Sequence, residues 1–156
     1  MSEGKERDSG GAPEGSTPPK VGRAAFGLLT LAWLIPGLGH WLLGKRTRAL
    51  VFAAVIVAGF ATGVLLDGEL GIPRSGSPFS WLAAFACVGN GFLYFLRLLW
   101  VNGLGLASSD LPFSVSGAGN PMAVGFSYGN TLLYTSGLMN LLAVLDVSDL
   151  ARGVKD

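Results

Sequence analysis

The sequence predicts an all-α, polytopic membrane protein: four transmembrane helices in two antiparallel hairpins, preceded by a disordered N-terminal tail. Three observations predict it. Half of the 156 residues are hydrophobic and only 13% are charged, against about 25% in soluble domains. The apolar residues gather into runs close to the roughly 20 residues a helix needs to cross a bilayer. The charges gather in the N-terminal stretch and in the turns between those runs.

Residues 1–23 mix Gly, Pro, Ser and charges of both signs without apolar periodicity. Such a segment buries too little surface to offset its ordering entropy, so it reads as a disordered polar tail. It is too long and polar for a signal-peptide start, and no clean cleavage site follows, so the first span is expected to be retained. A transmembrane domain is expected over 24–150, with a short polar C-terminus at 151–156.

The first span is expected at 24–43. It carries WLIPGLGHWLLGKRTR, residues 33–48, the segment around which the hairpin turns. Pro36 removes a backbone donor, so the helix must kink or loosen there. Gly37 and Gly39 follow, and in lipid the freed carbonyls need partners, which directs this segment toward protein. The turn Gly44–Arg48 holds Lys45, Arg46 and Arg48.

The second span is expected at 49–66, with Gly59 and Gly63 forming a G-x-x-x-G pair suited to close helix approach. A Gly/Pro-rich loop follows, and the third span is expected at 80–106. There Ala83, Cys87 and Gly91 form a small-residue stripe, and Asn90 and Arg97, seven apart, share a face. A second loop leads to the fourth span, 128–150. The 24 glycines fit close helix contacts and buried turns.

Four spans would put both termini on one side. Cations near the membrane then slightly favour cytoplasmic termini, in a bacterial inner membrane. That geometry predicts His40, Arg97 and Asn130 near the side of the first turn. It sends Asp146 and Asp149 to the opposite side, with Arg23 or Arg74 as partners for Asp146. Arg97 would then meet Asp110, a lipid phosphate or a helix-end carbonyl.

The candidate polar positions are His40, Arg97, Asp146 and Asp149, because ionisable groups at membrane depth mark function by default. His40 with Arg97 would suit an anionic head group or substrate. Asp146 and Asp149, at i and i+3, share a helix face and would suit protons or cations. The structural alternative is a helix-end histidine, a snorkelling arginine and an interfacial C-terminal turn. Asn90 and Asn140 read as hydrogen-bonding links between helices.

Catalytic chemistry finds little in the chain. With one histidine and one cysteine, His-rich metal sites and H-E-x-x-H are excluded. No nucleophile-elbow or phosphate-cradling glycine loop is present. No catalytic residue, cofactor or metal is expected. The net charge of +1 gives no field that would favour nucleic acid.

Two segments carry a resemblance. AWLIPGLGHWLLGKRTRAL resembles the P-G-L-G-H signature of an uncharacterised family of small bacterial integral membrane proteins, and GLMNLLAVLDVSDLARG resembles its C-terminal signature. The first is also distantly similar to the two-transmembrane hairpin domain, although Gly39 abuts His40 and Gly44 comes one residue early. The resemblance implies a small helical membrane protein and no particular activity.

The leading expectation is a non-enzymatic structural or accessory subunit. Its partners would be the lipid bilayer and either its own copies or a larger membrane complex. The alternative is a small transporter or channel-like protein using His40, Arg97 or Asp146, which requires those residues to line one interior cavity. An intramembrane enzyme would require His40 beside a nucleophile.

Overall fold

The computed structural model describes residues 23–71, 73, 76–103 and 119–154, and every described element is helical. In order they are α1 (Arg23–Leu34), α2 (Leu38–Leu42), α3 (Arg46–Leu65), α4 (Pro78–Val88), α5 (Phe92–Gly103) and α6 (Phe126–Ala151). Residues 1–22 of the tail expected at 1–23, most of the second loop and the last two residues lie outside the described residues, and Arg23 already belongs to α1.

Two helices, α3 with 20 residues and α6 with 26, are long and apolar enough to cross a membrane. They are the expected second and fourth spans. The other two expected spans are broken, so the count is two to three rather than four. The first is interrupted between Leu34 and Leu38. Pro36 has no N–H to continue the helix, and Gly37 then adopts φ 82°, a left-handed conformation open to glycine. A side chain there would also run into the Ala49 carbonyl. The expected third span is split at Gly89–Asn90–Gly91 into α4 and α5, whose axes bend by 111°. Gly91 has φ 59°, and a Cβ there would strike the Trp33 carbonyl. Backbone meets backbone at this point, which excludes any side chain.

α6 is the spine, packing on α1, α2, α3 and α4. Its buried residues Gly129, Leu133, Ser136, Asn140, Ala143 and Val147 recur every three or four positions, the spacing of a packed helical seam. α3 lies antiparallel to it. A Cβ on Gly63 would come within 2.7 Å of the Leu133 side chain and 2.9 Å of the Gly129 carbonyl, and one on Gly59 within 3.3 Å of Ser136. The G-x-x-x-G pair is therefore filled by the chain's own α6.

The broken α1–α2 segment runs parallel to α6. Trp33 meets Asn140, and further along Gly39 sits against Val147. The bundle thus has two ends: a turn end, with residues 43–48 and the C-terminus of α6, and a loop end, with residues 66–71 and the start of α6. Gly119 approaches Asp67 and Glu69 there, and Asn120 N donates to the Asp67 carbonyl. α5 also returns to the loop end, because Arg97 Nη2 donates to the Gly68 carbonyl at 2.6 Å. The α4–α5 pair therefore turns back inside the fold, near the middle of α6, instead of traversing it.

Candidate functional site

The interior holds polar side chains at the breaks. A broken helix leaves carbonyls without intrahelical donors, and burial makes each one costly. Asn140, fully buried, donates through Nδ2 to the Trp33 carbonyl and to the Gly89 carbonyl, both at 2.8 Å. Trp33 Nε1 donates to the Val88 carbonyl at 3.2 Å. Asn90, also fully buried, donates to the carbonyls of Leu133 at 3.0 Å and Cys87 at 3.2 Å. Its Oδ1 accepts from Ser136 Oγ at 2.8 Å. One side-chain network thus ties α1, the α4–α5 break and α6 together. The sequence singled out Asn90 and Asn140 as such links. It missed Ser136, although Ser136 stands four residues before Asn140 on the same face of α6.

The second polar group lies at the turn end. His40 Nε2 donates to Asp146 Oδ2 at 3.0 Å, across 106 residues of sequence. His40 is 1% exposed and Asp146 26%. The imidazole packs on Phe52 with ring centroids 5.0 Å apart, and its Nδ1 has no hydrogen-bond partner among the described residues. An ionised carboxylate can only accept, so Nε2 carries the proton in this bond. Beside the pair opens a groove of about 400 Å³ lined by Thr47, Arg48, Val51, Phe52 and Asp146. Arg46 stacks over Trp41, 5.6 Å from the ring centre.

This geometry corrects several sequence expectations. Asp146 sits at the same end as His40, not at the opposite one, and His40 bonds to it; the side chains of Arg23 and Arg74, its expected partners, lie outside the described residues. The reason is directional: α6 starts at the loop end, so its C-terminal half meets the first turn. Arg97 is not at the first-turn end either. It is buried and bound to the Gly68 carbonyl, three residues beyond α3, as the helix-end alternative had it. Asn130 lies with it at the loop end, where its Oδ1 accepts from Glu69 N at 2.7 Å. His40, Arg97 and Asp146 thus divide between the two ends and share no single cavity. Asp149 is half-buried in the last turns of α6. Among the described residues, no three His, Cys, Asp or Glu side chains gather closely enough to hold a metal ion.

A helical bundle with membrane-length helices, an internally turned helix pair and a histidine–carboxylate hydrogen bond beside an open groove is the class that fold and site define. Residues 27–155 match a family of unknown function (DUF6677), and the chain belongs to that family. No curated protein and no solved structure matches the chain.

Proposed function

We propose that the chain is a non-enzymatic integral membrane protein of a bacterial inner membrane, a small structural or accessory subunit that packs against itself or against a larger membrane complex. In this reading α1–α2, α3 and α6 cross the bilayer, and α4–α5 is a re-entrant hairpin entering from the loop end. Three crossings put the two termini on opposite sides. Lys45, Arg46, Arg48 and Arg152 all belong to the turn end, so the positive-inside rule makes that end cytoplasmic.

The observation that carries the reading is the interior network. Ser136 holds Asn90, which donates to the Leu133 carbonyl of α6, and Asn140 donates to the Trp33 and Gly89 carbonyls at the helix breaks. They brace an irregular backbone at depth, where broken helices are tolerated only if protein re-satisfies them. Around this braced interior, Leu50, Val55, Val57, Leu142 and Leu145 point outward, a surface suited to lipid or to a neighbouring apolar helix.

The test is gentle extraction of a C-terminally tagged chain from its native membranes, with particle mass and co-purifying proteins read by mass spectrometry. A stoichiometric partner or a defined homo-oligomer is the expected result. A clean monomer without a partner overturns the subunit reading.

A further inference from the structure

We propose that the turn-end groove holds the head group of a zwitterionic aminophospholipid such as phosphatidylethanolamine. The inference rests on the membrane reading above and adds a ligand class to it.

The groove combines both charges with an apolar floor. Arg48 and Thr47 line it, Asp146 faces them from α6, and Val51 and Phe52 form its apolar surface. A guanidinium and a hydroxyl suit a phosphate. A carboxylate suits an ammonium. Asp146 is fixed in place by His40 Nε2 at 3.0 Å, and Phe52 packs on that histidine. The pair is therefore a preset acceptor, with His40 buried behind it.

The apolar part continues away from the groove. Val51 and Val55, both exposed, stand one turn apart on α3 and form a track down the helix face. A ligand with an ammonium, a phosphate and an acyl chain, in that order, uses all three features. A purely anionic head group brings a like charge to Asp146. A choline head group keeps the positive charge but has no N–H to donate.

The test uses the full chain extracted from membranes. It is exchanged against an equimolar mixture of phosphatidylethanolamine, phosphatidylcholine and phosphatidylglycerol with identical acyl chains, and retained lipid is read by native mass spectrometry. Phosphatidylethanolamine should be retained about tenfold over the other two, the equivalent of one charge-assisted hydrogen bond. Asp146→Asn should erase that preference, and Arg48→Gln should weaken retention of all three. Val51→Trp fills the groove from an exposed position that folding does not need, and should expel the lipid even if Asp146→Asn does not fold. Equal retention, a preference for phosphatidylglycerol, or unchanged retention in Val51→Trp overturns the inference. A chain found in the soluble fraction would instead fail the membrane reading itself.

Discussion

The helix breaks in the middle of the bundle and the histidine–aspartate pair at its turn end both bury polar side chains, but they serve different partners. At the breaks, Asn90 and Asn140 donate to backbone carbonyls, Ser136 donates to Asn90, and three of the chain's segments converge on them. At the turn end, His40 grips one side chain, Asp146, which is itself a quarter exposed and borders a groove. The first arrangement makes a shape possible. The second presents a group. The difference separates two uses of a buried polar group: a buried amide facing a broken helix satisfies the architecture, and a carboxylate held from behind beside a groove keeps an exposed edge.

The contrast can be broken most severely at Gly137. A Cβ there would collide with the Ala86 carbonyl and lie 2.7 Å from Asn90 Nδ2. Gly137→Val must push α4 off α6, at about 3 kcal/mol or more. Cys87 supplies the readout: it is the only cysteine, buried just before the break. Labelling by a thiol-reactive fluorophore should be fast in Gly137→Val and slow in the parent protein. Slow labelling of both would mean that the close approach of α4 to α6 does not hold the hairpin.

Asn140→Leu comes next. It removes the donors to the Trp33 and Gly89 carbonyls while keeping the branched heavy-atom skeleton. Each orphaned carbonyl in apolar surroundings costs about 1 kcal/mol. A loss of about 2 kcal/mol in stability, with earlier Cys87 exposure on heating in detergent, is the expected outcome. An unchanged unfolding midpoint would remove Asn140 from its bracing role.

Much of this architecture could be read from residues alone, and the unread part has a physical cause. α3 and α6 were legible because an unbroken apolar run of about 20 residues has few alternatives. The kink at Pro36 and the linking role of Asn90 and Asn140 were legible from local chemistry. The break at Gly89–Gly91 was not, because flanking apolar residues make one continuous hydropathy signal, and only the approach of α1's backbone to Gly91 shows that the chain turns there. That single reversal moved Arg97 and Asn130 to the loop end. It also brought Asp146 of α6 beside His40. Neither residue of the pair has a local pattern that names its partner 106 positions away.

His40→Leu sharpens the comparison from the other side. It deletes one charge-assisted hydrogen bond next to a partly exposed carboxylate, so solvent screening limits the cost to about 1 kcal/mol. The two regions lie at different levels of α6, Asp146 well beyond Asn140, and substitutions without shared partners act nearly independently. Cys87 labelling should therefore stay within about twofold of the parent protein. Accelerated labelling would show that the turn end and the interior breaks open as one unit.

The smallest effect belongs to Ser136→Ala, and it tests which amide anchors the brace. The hydroxyl's single proton is shared between Asn90 Oδ1 at 2.8 Å and the Leu133 carbonyl at 3.0 Å, within its own helix. Its loss leaves both Nδ2 bonds of Asn90 in place, to Cys87 and Leu133. A single interhelical hydrogen bond in a membrane bundle is worth about 0.6 kcal/mol on average. The expected shift in the unfolding midpoint is correspondingly slight, well below that of Asn140→Leu. Equal shifts for the two would move the anchor from Asn140 to Asn90. The alanine would then have loosened Asn90 as a whole, through an Oδ1 that needs the serine to hold the amide's orientation. Asn140 bonds directly to carbonyls on both sides of it, on Trp33 and on Gly89, and needs no such intermediary. For that reason the larger effect is expected at Asn140.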